Sequence, residues 1–278
     1  VLATTGVLIV LALLSVFLPV NDLNIAGMTM SVYNLISQYI LIIGSIVALV
    51  FLAVAGNEKR AAAGLTRQNW KSAVLIVLAF VGIYIVRTVV SVAVQGVSDG
   101  SGMQYVKEWA AMFKNPMMWL NIAALPINYF FVFIAFFGEE YGWRYYLQPV
   151  LQKRFGLRAG VIILGVVWGL WHIPDDLFYY TQTSGIQMIF AQQITCISLG
   201  IFFAYAYMKT QNIWVPVCLH YLNNNLIPII SGTFSADVLE NQTVSWKDLP
   251  VALVLNGLCF GFFLLADVFK KKEVQEEE

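Results

Sequence analysis

Long apolar stretches, each near the length of a membrane-crossing helix, recur along the whole chain and alternate with short polar segments. A bilayer core needs about 20 predominantly apolar residues per helix. The fifth stretch is expected to end at Pro174 and two aspartates, because proline interrupts a helix. By this pattern we expect an all-α polytopic membrane protein of about eight transmembrane helices. The predicted spans lie near 2–20, 32–55, 73–95, 118–148, 159–174, 187–208, 213–231 and 250–268.

The composition supports this interpretation. The 278 residues are 59% hydrophobic and only 12% charged, whereas soluble domains carry about a quarter charged residues. The surroundings are therefore expected to be a lipid bilayer, and the net charge of zero argues against nucleic acid as a partner. We expect a single integral-membrane domain over 1–278. Its parts are N-terminal helices (1–117), central helices (118–231), a last helix (250–268) and a charged cytoplasmic tail (269–278).

Lysine and arginine are concentrated in alternate loops, and this bias sets the orientation of membrane helices. The basic segments are 56–72, 149–158, 209–212 and the tail. The loops 21–31, 174–186 and 232–249 are poorer in basic residues, and 96–117 is balanced. Both termini are therefore expected to be cytoplasmic. Residues 1–20 lack a basic leading segment and a small-residue cleavage site, so a spanning helix is expected there rather than a cleaved signal.

Three further features have structural interpretations. Cys196, Cys218 and Cys259 all lie in apolar runs and are expected to be small buried side chains. Residues 104–114 place aromatic side chains at helical spacing, which is typical of an outer interfacial helix. Arg87 lies inside the third span, where structural pairing or snorkelling is as good an explanation as a function.

The other ionisable residues inside the spans are the candidates for chemistry, because such a residue costs roughly 2.5–3.5 kcal/mol to insert. Glu139, Glu140 and Arg144 lie in the fourth span, and the chain's two histidines, His172 and His220, lie in the fifth and seventh. At about 1.5 Å per residue, Glu139 and His172 lie about 20 Å from the basic loops, and His220 about 16 Å. We therefore expect the three spans to present these groups to one intramembrane polar cavity.

Spacing separates the roles of these residues. Glu140 and Arg144 stand four apart with the acid first, which favours an ion pair within the helix. Glu139 lies about 100° around the helix and lacks that partner. His220 and Asn224 are also four apart, so both are able to point at the same place.

These residue types fit hydrolysis of a peptide bond inside the membrane. Since no serine or cysteine stands at a recognisable spacing from a histidine, a covalent nucleophile is not expected. A buried carboxylate is able to act as general base on water near neutral pH, and a histidine beside it to hold that water. A second histidine and an asparagine amide are able to stabilise the oxyanion that forms.

The three motifs together resemble those of a known family. EExxxR at 139–144, aromatic-xxx-His at 168–172 and HxxxN at 220–224 are similar to the motifs of the CPBP family of CAAX-processing and bacteriocin-processing intramembrane proteases, which includes abortive-infection-like members. The resemblance covers roughly residues 118–231. Trp168 stands where the family often has phenylalanine. The local sequences resemble bacterial members, which implies a bacterial cell membrane and substrates other than prenylated proteins.

The resemblance implies an all-helical intramembrane endopeptidase that acts on a membrane-associated protein or peptide without a cofactor. It assigns Glu139 as the base that activates water and His172 as its partner. His220 and Asn224 correspond to the oxyanion donors. Glu140 and Arg144 correspond to the supporting pair.

Two other functions compete with this hypothesis. A zinc hydrolase is able to use His172, His220 and Glu139 as ligands with water in the fourth position, although the HExxH helix of common zinc proteases is absent. A non-catalytic membrane scaffold or a transporter is the other alternative. A transporter usually has an internal repeat and paired broken helices, and neither is evident in the sequence.

Overall fold

The computed structural model describes residues 2–21, 23–25, 28–65, 68–98, 100, 104–232 and 241–270, and helices dominate them. The predicted all-α fold is confirmed. In chain order the α-helices are α1 (Leu2–Phe17), α2 (Val32–Val54), α3 (Asn57–Ala62), α4 (Trp70–Ser98), α5 (Gln104–Met112), α6 (Pro116–Glu140), α7 (Gln148–Phe155), α8 (Leu157–Trp171), α9 (Ile173–Phe178), α10 (Gly185–Thr210), α11 (Trp214–Ser231) and α12 (Asp248–Cys259). Two three-residue strands, β1 (Leu23–Ile25) and β2 (Met28–Met30), pair antiparallel between α1 and α2.

Each predicted span contains a helix, and several of these helices are able to cross a bilayer. In the described part of the chain, five are long and apolar enough: Leu35–Val54, Trp70–Val97, Pro116–Phe155, Leu157–Phe178 and Gly185–Thr210. The apolar parts of α1 and α12 are shorter. Outward-facing apolar side chains such as Phe130 and Phe131, 72% and 73% exposed, would be unfavourable in water but suit lipid. The chain is thus a multi-pass integral membrane protein.

The structure differs from the prediction at the ends of three spans. The last span was expected to run to residue 268, but α12 ends at Cys259 and 3₁₀ turns follow at Gly261–Leu265 and Asp267–Phe269. The fifth was expected to stop at Pro174, and α8 does end close to it, at Trp171. The outer loop expected after that stop begins instead with a second helix, α9, and Pro174 lies in its first turn. Proline is tolerated there because a helix does not use the N–H groups of its first turn.

The fourth span continues beyond its predicted end at residue 148. After α6, residues Tyr141–Leu147 form a π-helical segment that leads directly into α7. Its wider turn is visible where the Gln148 N–H donates to the Trp143 carbonyl, five residues back. Such π-helical segments in α-helices occur frequently at functional sites.

Helices α8 and α10 pack closely because small residues face each other between them. A Cβ atom on Gly165 would lie 2.6 Å from the Ile197 Cα atom, so only glycine permits this approach. Around this contact, aromatic side chains of α4, α8, α10 and the segment after α12 form the largest buried cluster, which includes Phe80, Trp168, Phe203 and Phe260. Two of these rings, Trp168 of α8 and Phe203 of α10, also lie against Arg144 of the fourth span.

The interfacial helix and the arginine have structural roles. Helix α5 lies within the predicted segment 104–114, and its Trp109 Nε1–H donates to the Ile230 carbonyl at 2.7 Å. Arg87 Nε donates to Asn256 Oδ1 at 2.8 Å, and its guanidinium lies over the Tyr84 ring. Arg87 is thus used in structural pairing between α4 and α12.

The three cysteines are free, Cys196 being buried and Cys218 and Cys259 half-buried. The tail residues 271–278 lie outside the described residues. The division of the chain into parts and the orientation of its termini stay predictions.

Candidate active site

The polar residues of the fourth, fifth and seventh spans line one cavity of about 520 Å³. Glu139 enters it from α6, His172 from the joint between α8 and α9, and His220 and Asn224 from α11. The predicted convergence on one cavity is therefore confirmed. Helices α1 and α2 also contribute to the lining, mostly with apolar side chains, through Leu8, Ala12, Ser37 and Ile42.

The second glutamate of the pair is fully engaged. Arg144 Nε donates to Glu140 Oε2 at 2.9 Å, which confirms the ion pair expected from the spacing. His220 Nδ1 lies 2.9 Å from Glu140 Oε1, so this carboxylate is bonded through both oxygens. The side chains of Glu140 and Arg144 are both 0% exposed. Breaking a buried pair of this kind leaves an uncompensated charge and costs about 3–5 kcal/mol.

Arg144 is held by α8 and α10 as well as by Glu140. Its guanidinium carbon lies 5.2 Å from the Trp168 ring centre and 5.4 Å from that of Phe203, both within cation–π range. Its Nη1 atom lies 3.4 Å from the Gly200 carbonyl oxygen. The arginine therefore fixes the fourth span against both neighbouring helices.

Glu139 has a different environment from its neighbour, because adjacent residues face different sides of a helix. Its Oε2 atom is buried and has no hydrogen-bond partner among the described residues. Burying a carboxylate oxygen without a partner costs free energy, and native structures keep few such groups without a functional reason. Of the two adjacent glutamates, Glu139 is thus the one that the fold leaves available to the cavity.

His172 is oriented by the break between α8 and α9. Pro174 has no N–H to offer the Leu170 carbonyl and disturbs the helix there. The His172 N–H donates to Gly169, three residues back, and the Trp168 carbonyl accepts from His172 Nδ1 at 2.8 Å instead. Because a carbonyl only accepts, Nδ1 carries the proton, and Nε2 of the neutral ring keeps its lone pair.

His220 and Asn224 are also oriented. The His220 ring lies edge-on to Phe136 and Trp168, with ring centres 5.1 and 5.4 Å away. Its Nδ1–H is used by Glu140, so Nε2 is the remaining ring nitrogen. The Asn224 Oδ1 atom accepts from Asn223 Nδ2 at 2.8 Å, which leaves the Asn224 amide N–H groups as donors.

The neighbouring asparagines of α11 bond other groups. The Tyr84 hydroxyl donates to Asn223 Oδ1 at 2.5 Å, and Asn225 Nδ2 donates to the Tyr221 carbonyl at 3.0 Å. The first contact joins α11 to α4. The second holds the Asn225 side chain against the backbone of its own helix.

The zinc alternative names His172, His220 and Glu139 as metal ligands. In the part of the chain that the structure describes, no three His, Cys, Asp or Glu side chains are grouped as ligands for a metal ion. His172, His220 and Glu139 share the cavity but do not form such a group. Whether the protein works without a metal stays a prediction.

Sequence reasoning missed Asp175, which lines the same cavity as Glu139. Its neighbour Asp176 is 0% exposed, and neither carboxylate oxygen has a hydrogen-bond partner among the described residues. Both were assigned to an outer loop because Pro174 was taken as a stop. Proline followed by two acidic residues is also typical of the first turn of a helix, and that signal pointed to α9.

Comparison with known proteins gives two matches to the central part of the chain. Residues 121–226 match the family model described as type II CAAX prenyl endopeptidase, Rce1-like. Over 125 residues the chain is 27% identical to CAAX prenyl protease 2 of Methanococcus maripaludis, a match that covers 42% of this chain and 45% of that protein. The chain thus spans less than half of the relative's length. A comparison with solved structures finds no match. The resemblance expected from the three motifs is thus confirmed as a similarity of this central segment to the Rce1-like CAAX prenyl endopeptidases.

Proposed function

We propose that this protein is a glutamate-dependent intramembrane endopeptidase, on the premise that residues 121–226 are related to the Rce1-like CAAX prenyl endopeptidases. The observation that carries the proposal is the state of the two glutamates at the cavity. Glu140 is bonded through both oxygens, whereas Glu139 presents a buried oxygen without a partner in the described residues. The substrate is a membrane-associated protein or peptide.

In the proposed mechanism, Glu139 and His172 activate a water molecule. The His172 Nε2 lone pair accepts a hydrogen bond from the water, because Nδ1–H is already used by Trp168. Glu139 takes a proton from this water while the water oxygen bonds to the scissile carbonyl carbon. The protonated Glu139 then gives that proton to the leaving nitrogen as the C–N bond breaks, so the carboxylate is regenerated.

His220 and Asn224 stabilise the oxyanion of the tetrahedral intermediate. The Asn224 amide N–H groups are free to donate, because the amide oxygen already accepts from Asn223. His220 donates through Nε2, and with Nδ1–H committed to Glu140 this requires the imidazolium form. The Glu140 carboxylate offsets that charge. Donors fixed before the reaction are the most effective kind of oxyanion stabilisation.

The proposed setting is a bacterial cell membrane with both termini in the cytoplasm. The basic segments 149–158 and 209–212 support this orientation by the positive-inside rule. Peptide maturation, signalling or immunity, rather than processing of prenylated proteins, is the proposed context, by analogy with the bacterial sequences that the motifs resemble.

The proposal is tested by comparing cells that express the wild-type chain with cells that express Glu139→Gln. Mass spectrometry of membrane peptides should find new termini only with the wild type. The purified wild-type protein, reconstituted in liposomes, should then cleave a synthetic peptide that spans one such site. Identical peptide sets in the two cell lines, and equal cleavage by both purified proteins, would refute a glutamate-dependent protease.

A further inference from the structure

The cavity carries an unusual balance of charge. Two carboxylates, Glu139 and Asp175, line it, and no lysine or arginine does so among the described residues. Arg144 is already paired with Glu140 and is not part of the lining. The described residues thus contain no ion pair for Asp175.

Asp175 is held in place by its backbone. Its carbonyl oxygen accepts from both the Tyr179 N–H and the Tyr180 N–H at 2.9 Å. On the other side, Pro174 lies in the first turn of α9, two residues after His172. The Asp175 carboxylate therefore stands at a defined place in the cavity, on the same short segment as His172.

We propose that Asp175 selects substrates with a lysine or arginine side chain close to the scissile bond. The inference rests on the proposed protease function. An ammonium or guanidinium group brought by the substrate gives this carboxylate the charged hydrogen bond that the described residues do not supply. In a cavity with little water such a contact is stronger than at a surface.

The same charge balance disfavours anionic groups in the cavity. A peptide with its free C-terminus close to the scissile bond would bring a carboxylate near Glu139 and Asp175. The charge of the His220 imidazolium is already offset by Glu140, and the described lining has no lysine or arginine to receive the added carboxylate. Cleavage is therefore expected at an internal bond, within a segment that carries positive charge.

The test uses three versions of one cleaved peptide, with lysine, glutamine or glutamate placed in turn at each position flanking the scissile bond. For the wild type, kcat/KM should be about tenfold higher with lysine than with glutamine at one position, and lowest with glutamate. In Asp175→Asn the lysine-to-glutamine ratio should fall to about one, and in Asp175→Lys the glutamate peptide should become preferred. Equal rates for all three peptides with the wild type, or an unchanged ratio in Asp175→Asn, would overturn the inference.

The matched control is Asp267→Asn, since the Asp267 side chain is 91% exposed and lies outside the cavity. It should keep the wild-type lysine preference, and thermal unfolding should verify that all variants fold.

Binding of the same peptides to Glu139→Gln and to Glu139→Gln with Asp175→Asn separates selectivity from catalysis. A lysine preference that disappears in the double variant supports the role of Asp175 even if no peptide is cleaved. Equal binding of the lysine and glutamine peptides to Glu139→Gln counts against it.

Discussion

His220 Nδ1 lies 2.9 Å from Glu140 Oε1, and this contact joins α11 to the end of α6. It places the second glutamate between a histidine and Arg144, so that both carboxylate oxygens are used. The first glutamate is excluded from this network and faces the cavity. Two adjacent residues of one type thus receive different environments from a single helix.

The first prediction concerns these two glutamates. Glu139→Gln removes a buried, unpaired carboxylate with an almost isosteric amide, so thermal stability should be unchanged or slightly higher while turnover disappears. Glu140→Gln and Arg144→Ala should lower the melting temperature, because each leaves a buried charge unpaired at a cost of about 3–5 kcal/mol. The measurement is thermal unfolding in detergent together with cleavage of one defined substrate.

Asp267→Asn, which removes an exposed carboxylate, serves as the control for loss of charge. The assignment of roles is reversed if Glu139→Gln cleaves at the wild-type rate while Glu140→Gln is well folded and inactive.

The local relationships of the site could be predicted from the sequence. The Glu140–Arg144 pair depends only on a spacing of four residues in one helix. The meeting of Glu139, His172 and His220 follows from their similar depth in spans of predicted orientation. Both kinds of inference use the regular rise and turn of a helix and need no tertiary detail.

The contacts between distant parts of the chain could not be predicted. His220 and Glu140 are 80 residues apart, and the sequence does not indicate which donor bonds the second oxygen of Glu140. The π-helical segment at Tyr141–Leu147 depends on how α6 packs between its neighbours. Asp175 was missed because a proline able to end one helix is equally able to begin the next.

The second prediction concerns Pro174, which breaks the helix beside His172. Pro174→Ala restores an N–H for the Leu170 carbonyl and lets α8 continue, so the Trp168 carbonyl should return to the His172 backbone and release the ring. Turnover should fall roughly 10- to 100-fold, since a small misplacement of a reacting group has effects of this size. The measurement is kcat alongside the melting temperature, which should not fall.

Pro116→Ala is the matched control, because Pro116 is exposed and stands at the start of α6. Its turnover should equal that of the wild type. An equal turnover for Pro174→Ala would show that the break does not orient His172.

The third prediction concerns metal content. The proposed oxyanion role of His220 requires its imidazolium form, which has no lone pair for a metal ion, and His172, His220 and Glu139 are not grouped as metal ligands in the described residues. Purified protein should therefore contain zinc well below one atom per chain, and cleavage should continue after chelation. Stoichiometric zinc, with activity lost on chelation and restored by zinc, would favour the hydrolase that uses His172, His220 and Glu139 as ligands.

The fourth prediction concerns orientation, and it uses a background in which the three native cysteines are replaced. Arg154→Cys should react with a membrane-impermeant reagent only from the cytoplasmic side, and Lys247→Cys only from outside, because basic loops stay in the cytoplasm. Both positions are exposed, whereas Asp176 is buried and unsuitable as a labelling site. The reverse labelling pattern would overturn the predicted topology.

The last prediction concerns the close contact between α8 and α10 at Gly165 and Ile197. Gly165→Ala would place a Cβ atom 2.6 Å from the Ile197 Cα atom, so α8 and α10 must separate. Overpacking of this kind costs about 1–3 kcal/mol. Because α10 also presents the Gly200 carbonyl to Arg144, separation should disturb Arg144 and lower turnover as well as the melting temperature.

Gly82→Ala is the matched control, since a Cβ atom there meets nothing within 4 Å. Alanine also favours a helix by up to about 1 kcal/mol over glycine, so this variant should be as stable as the wild type or more stable, with full turnover. Equal melting temperatures for the two variants would show that α8 and α10 tolerate separation and that the contact does not hold Arg144 in place.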